Sequence, residues 1–458
     1  MTNFKITAIL LVGALGFSCA AGASDTEETL SAELRALNVE SFEAAWTTIR
    51  ENHWDREKTE DEWTELYQDY EPRIVEAETY AAYLTVLREL INSFEQSHFS
   101  IISSDVYESI VASVDAADTG EDAETSEADD AAESDDAEEE GLLGISGMDV
   151  RVLDGRVIVT GVQPNSAAAE TGVKRGWEVL TVDGESLDET LSEISESFED
   201  KPVLELTLHR AALNWIDGDA GTSKTIEFSD QTEIDHTVTV TMTEPEGTPY
   251  RLGIFPPAFV TIETEKISPT VGYFAFSLFL DPLRVMQSFE KALDSFRECD
   301  GIIIDVRGNG GGLPLVATGI AGWLSEEKKH ILGTMITKDT ELKMVINPRL
   351  NPYRGKVAVL IDGSSASASE IFAAGLRDIG RARIFGSRTA GAVLPARFKR
   401  LPNGDFFYYP FANYVSSKGD RLEGVGVYPD EHSPHTQTDL LNGRDNALEA
   451  ARLWIETD

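Results

Sequence analysis

From residue 25 to about 112, apolar side chains recur at every third or fourth position. In SFEAAWTTIRENH the residues Phe42, Trp46 and Ile49 share one face, and YAAYLTVLRELINSF repeats the spacing with Tyr80, Tyr83, Leu84, Leu87, Leu90 and Ile91. That period predicts a small helical domain with an aromatic core. The pattern then stops: residues 113–140 hold fourteen acids, no base and no aromatic residue. Such a stretch cannot bury apolar surface and is expected to be a disordered, self-repelling linker or loop insertion. From 141 to 215 the period shortens to two. GRVIVTGV and GWEVLTVDG read as strands, joined through a Pro-Asn-Ser turn and a short helix, the second ending in a tight Asp-Gly turn. From 216 to 458, continuous apolar runs (VGYFAFSLF, CDGIIIDV, GKVAVLID) alternate with amphipathic helices such as DPLRVMQSFEKALDSFR. Continuous runs joined by helices predict a sheet covered on both faces. The expected fold is multidomain α+β: a helical domain at 25–112, an acidic linker at 113–140, a β domain at 141–215 and an α/β core at 216–458.

Composition narrows the partners. The chain of 458 residues has 81 acidic and 38 basic side chains, a formal charge of −43. Such a surface repels phosphate backbones and anionic lipid, so nucleic acid is excluded as a partner. The first residues, MTNFKITAILLVGALGFSCAAGAS, read as a secretory signal over 1–23: Lys5 is the positive end, Ile6 to Phe17 the apolar core, and Ala21-Gly22-Ala23 the cleavage site. The apolar core is too short to span a bilayer, and the mature chain holds no transmembrane helix. The protein is therefore expected to be exported, to a periplasm or beyond. Cys19 adds a second reading, cleavage before a lipid-anchored cysteine. Processing at Ala23 leaves Cys299 alone, so no intramolecular disulfide is expected, and Cys299 reads as a small core residue before a buried strand.

Two glycine- and serine-rich turns follow buried strands. One is DVRGNGGG (305–312) and the other DGSSASASEIFAAG (362–375), where four serines run into a helix. In open α/β sheets both turns lie beyond the carboxyl ends of the strands and can meet over one site. Neither has the spacing of a phosphate loop or a dinucleotide fingerprint. What remains is a glycine turn with free N–H groups facing a serine on a helix N-terminus, a pairing suited to a nucleophile and an oxyanion. The plain reading of those serines is helix capping. His432 and His435, beside Asp430 and Glu431, fit no helical zinc motif, and nothing in the chain calls for a metal or another cofactor.

Taken in order, GYFAFSLF, IIIDVRGNGGG, VLIDGSSASASEIFAAGLRD, GSRTAGA and LEGVGVYPD resemble the carboxyl-terminal processing (tail-specific) peptidase family, in its tricorn-core-like branch. The resemblance runs from residue 40 to the end, the acidic segment excepted. It implies a core of the ClpP/crotonase-like type and a serine endopeptidase acting on proteins or peptides. Ser367 would be the nucleophile, with the N–H groups of Gly311 and Ala368 as oxyanion donors. Many bacterial members carry a lysine base twenty-five residues after the serine, and here that position is Ala392. The tricorn-like branch uses instead a Ser-His pair and a glutamate six residues before a proline, which implies Ser97, His98 and Glu423. Lys399, thirty-two residues after Ser367, is a nearby lysine and reads as a surface charge. Residues 141–215 resemble a PDZ domain, which implies a carboxylate-binding loop at Gly141, Leu142, Leu143, Gly144 and Ile145, and partners with free carboxyl termini. The same scaffold occurs in interphotoreceptor retinoid-binding proteins, so a non-catalytic binder of peptides or apolar ligands is the alternative. Oligomeric state is left open.

Overall fold

The computed structural model describes residues 29–55, 58–118, 143–232 and 235–457. The leader, Cys19, Gly141, Leu142 and most of the acidic segment lie outside them. The helices Ala32–Asn52, Glu60–Glu76 and Tyr80–Asn92 begin where Ser31, Thr59 and Thr79 accept the first-turn N–H groups of Leu34, Glu62 and Ala82. Phe42, Trp46, Ile49, Tyr83, Leu84, Leu87, Leu90 and Ile91 all enter one core, but the helices do not complete it alone. Leu401, Phe407 and Tyr409 join the same cluster from the far end of the chain. Strand Ser100–Ile102 pairs antiparallel with Phe406–Pro410, which pairs in turn with Ala396–Arg400. The helical region is thereby sewn onto the core, and the residues just before Ser100 are fixed in place.

Helix Ser104–Asp118 runs six residues into the segment expected to be disordered. It does so because Val114 is buried, giving the acidic stretch's first turn an apolar contact that its composition alone does not suggest. The boundary expected at 215 also moves. The β-rich unit is a five-stranded antiparallel sheet in the order Met148–Leu153, Arg156–Val162, Glu178–Val182, Ser223–Ser229, Asp235–Thr241. Its last two strands bring Ile226, Phe228 and Val240 into the same core as Val150, Val159 and Trp177. Helices Asp188–Ser197 and Leu204–Ile216 cover that core.

The remaining sheet has six strands: Ile262–Ser268, Val271–Phe276, Gly301–Asp305, Lys356–Ile361, Arg383–Gly386 and Glu431–His432. The first is antiparallel and the others run parallel. Alternate side chains of the central strands face opposite ways. Ile302, Ile304, Val357 and Val359 meet the helices Pro282–Ser295, Pro314–Leu324 and Ala368–Asp378. Ile303, Ala358 and Leu360 meet Ala447, Ala451 and Ile455 of the C-terminal helix Asn446–Glu456. Both faces are covered, as the continuous apolar runs require. Because Gly301–Asp305 and Lys356–Ile361 are adjacent and parallel, the turns after them emerge side by side. No helix among the described residues is long and apolar enough to cross a membrane.

Candidate active site

Ser367 stands immediately before helix Ala368–Asp378 with φ 55° and ψ −115°. This is a costly conformation for a residue with a side chain, and it persists only where the surroundings impose it. They do: its N–H donates to Ala392 O at 2.8 Å and to Glu370 Oε2 at 3.1 Å. Within residues 364–370 only Ser367 keeps partial solvent access; its neighbours are buried. Two of the other hydroxyls lace the two turns together. Ser365 Oγ donates to Val306 O at 2.7 Å, and Ser369 Oγ donates to Asn309 O at 2.8 Å. Those serines are structural, as their turn and capping positions suggest.

The glycine turn comes as close to Ser367 as backbone can. A Cβ on Gly311, whose φ is 99°, would lie 2.7 Å from Ser367 Cβ and 2.9 Å from Ala368 N. Only glycine fits there. Its amide, however, donates to Asn309 Oδ1 at 2.9 Å. The expectation that Gly311 offers an oxyanion N–H is therefore corrected in this arrangement, because the asparagine side chain folds back onto its own turn. Ala368 is the first residue of its helix, where N–H groups have no intrahelical acceptor.

Ser97 and His98 lie in the turn leading into strand Ser100–Ile102, and His98 is again left-handed with φ 67°. Ser97 Oγ lies 2.6 Å from His98 Nδ1 and donates to Glu423 Oε2 at 3.0 Å, while Ser97 N donates to Glu423 Oε1 at 2.8 Å. The directions follow from the carboxylate, which only accepts. With the hydroxyl proton committed to Glu423, Nδ1 carries the imidazole proton and donates to Oγ. That tautomer leaves a lone pair on Nε2. Burial, with the Arg210 guanidinium of helix Leu204–Ile216 adding to it, pushes the His98 imidazole down to about 3. Burial raises Glu423 above the usual carboxylate range, opposed by the N–H groups of Val393 and Ser97.

The loop at 389–393 connects the two halves. Glu370 accepts from Thr389 Oγ1 at 2.6 Å and from the N–H groups of Gly391 and Ala392, both at 2.9 Å. Val393 N donates to Glu423 Oε2 at 3.0 Å. One strand of backbone is thus held by the nucleophile's helix on one side and by the histidine's carboxylate on the other. Burial pushes the Glu370 carboxyl up to about 7 despite these donors. Glu370 escapes a motif-based reading because Ser-x-x-Glu at a helix start looks like simple capping. Ala392 is buried and serves this loop through its backbone alone. Among the described residues no hydrogen bond joins Ser367 Oγ to His98.

Several expected groups lie elsewhere. Lys399 Nζ donates to Thr48 Oγ1 at 2.6 Å and fastens the core hairpin to the first helix. His435 Nε2 is 3.0 Å from Arg307 Nη1, Asp430 accepts from Ile384 N, and Glu431 pairs with Arg383. Leu143 and Gly144 pair with Gly218–Asp219, and the Ile145 amide donates to Thr243 O at 2.8 Å. Residues 143–145 therefore form sheet rather than the open cradle of amides expected of them, because their backbone finds a neighbouring strand.

Residues 270–433 match the model described as peptidase family S41, and residues 38–92 match the tricorn protease C1 domain. Most of the α/β core is thus similar to a peptidase family S41 domain. Probable CtpA-like serine proteases of Staphylococcus aureus and Staphylococcus haemolyticus are each 29% identical to the chain over 130 residues, 28% of this chain and 26% of theirs. The chain thus matches about a quarter of the length of those relatives. The photosystem II D1 C-terminal processing protease superposes with a TM-score of 0.53 at 19% identity, over 91% of this chain and 99% of its own. Mature CPAF complexed with lactacystin gives 0.57 at 14%, over 93% and 98%. These two share the fold. The region matching the S41 model spans both glycine turns, Ser367 and Glu423, whereas Ser97 and His98 lie upstream of it and are brought in by the strand pairing of Ser100–Ile102.

Proposed function

We propose that this protein is a serine endopeptidase in which Ser367, His98, Ser97 and Glu423 act as a tetrad. The hydrogen-bonded chain from Glu423 through Ser97 to Nδ1 of His98 carries the reading, since it prepares Nε2 as a base in a site where the lysine position is Ala392. His98 Nε2 takes the Ser367 proton as Oγ attacks a peptide carbonyl, and Ala368 N–H faces the developing oxyanion. His98 then protonates the leaving amine, and water releases the acyl group by the same steps in reverse order. Ser97 and Glu423 hold the tautomer and stabilise the imidazolium. In the arrangement described, Val203 and Leu206, at the start of helix Leu204–Ile216, pack with Ala366, Ala390 and Ala392. Digestion of a mixed peptide library, with mass mapping of products, should show internal peptide-bond cleavage by the native chain and none by Ser367→Ala. Equal product patterns for the two proteins would overturn the assignment.

The β-rich unit is proposed to recognise free carboxyl termini in the PDZ manner, along strand Met148–Leu153 beside helix Leu204–Ile216. Support comes from the sheet order and the helix packed beside it, not from residues 143–145. Labelled peptides with apolar last residues should bind more weakly when amidated. Equal affinity for acid and amide would remove carboxylate recognition from the account.

A further inference from the structure

The β-rich unit is fastened to the nucleophile turn by a buried charge lattice that the catalytic reading does not use. Arg151, on strand Met148–Leu153, donates from Nε to Asp362 Oδ2 at 2.9 Å, and Asp362 opens the 362–367 turn. Asp362 Oδ1 accepts in addition from Gly308 N at 2.9 Å and Ser364 N at 3.0 Å. On its other side, Arg151 Nη1 reaches Asp149 Oδ1 at 2.6 Å and His209 Nε2 at 3.0 Å. Beside it the arrangement is repeated: Arg307 Nη1 contacts Asp445 Oδ1 at 2.9 Å and His435 Nε2 at 3.0 Å, and Arg307 Nη2 contacts Asp305 Oδ2 at 2.6 Å. Arg175 of the β-rich unit reaches Asp445 at 3.7 Å, and Gln437 Nε2 donates to Gly176 O at 3.1 Å. Both lattices therefore bridge the β-rich unit and the core.

In each lattice an arginine N–H points at an imidazole nitrogen at hydrogen-bond distance. A guanidinium only donates, so each Nε2 must present a lone pair, and each histidine must be neutral. A proton on either ring removes the acceptor and sets two cations 3.0 Å apart. We propose that His209 and His435 make this interface a proton-sensitive latch, which holds the β-rich unit on the nucleophile turn near neutral pH and releases it in acid.

The charges around each ring set the direction. His209 faces Arg151, Asp149 and, further off, Asp362. Burial and then Arg151 lower it, while Asp149, at 3.5 Å, works the other way. His435 faces Arg307 and Arg151 against Asp445 and Asp362, and burial with Arg307 holds it down to about 4. A ring that burial lowers in the docked form, and that regains solvent on release, takes up a proton more readily when released, so docking weakens as pH falls through the ordinary histidine range.

The latch depends on the peptidase reading only for its consequence at Ser367, and its test needs no turnover. Hydrogen exchange of the full chain, corrected for intrinsic rates, should show protection of residues 202–212 and 363–366 falling at least ten-fold between pH 7.5 and 5.0. The same loss should appear in Ser367→Ala, which separates a failed latch from a failed catalytic assignment. In His209→Gln with His435→Gln, which keep a neutral acceptor, the acid-induced loss should disappear. If the double variant misfolds, each single variant should retain part of the response. Protection unchanged by pH in the native chain, or an acid loss undiminished in every folded variant, would overturn the proposal.

Discussion

Ser367→Ala and His98→Ala should each lower kcat/KM for peptide hydrolysis by about 10³-fold or more, and the double variant should lose hardly more than either single one. The two groups act in one step, so removing either removes the step. Glu423→Gln should cost less, because Glu423 touches Ser97 and not the reacting atoms. The native rate should also hold between pH 8 and pH 6. His98 is lowered by burial and by Arg210, so it remains the free base as pH falls through the ordinary histidine range. Steady-state kinetics on a library-derived peptide checks all of this. Additive losses, or an acid limb centred near 6.5 that persists in His209→Gln with His435→Gln, would mean that a solvated or different base does the work.

The largest effect on stability should come from Asp362→Ala. The carboxylate accepts from Arg151, Gly308 and Ser364 and is almost wholly enclosed. Burial opposes its ionisation, yet Arg151 and the Gly308 N–H outweigh that and hold it below the usual carboxylate range. Removing it strands the Arg151 Nε and two backbone donors in a largely enclosed interface, at a cost of about 3–5 kcal/mol. Thermal or urea unfolding of the variant at pH 7.5 measures it. A loss under about 1 kcal/mol would mean that water or Asp149 takes over the pairing.

The residues of the candidate tetrad were readable because each lies in a short local pattern that resembles the tricorn-like branch: serines at a strand-to-helix turn, Ser97-His98 after a helix, and Glu423 before Val427 and Pro429. The core's covered sheet was readable from continuous apolar runs such as GIIID and KVAVLI. What the chain conceals are choices made at long range. Arg151 and Asp362 are 211 positions apart, and neither belongs to a motif that announces the other. The boundary expected at 215 missed the strands Ser223–Ser229 and Asp235–Thr241, although Ile226, Phe228 and Val240 alternate clearly, because pairing across the inserted helices is not a local property. The Gly311 amide was assigned to an oxyanion when Asn309 captures it, a rotamer choice that spacing cannot express. Local patterns located the candidate residues, and tertiary partners decided how they are held.

The most direct test of the central claim is covalent capture of Ser367. A fluorophosphonate needs a nucleophile made reactive by its base, and a strained serine on a capped turn lacks that reactivity unless His98 reaches it. Tryptic mapping of the labelled native protein should place the adduct on Ser367, with labelling greatly reduced in His98→Ala and undiminished in Lys399→Ala. An unlabelled native chain, or a Ser367 that labels equally well without His98, would contradict the account.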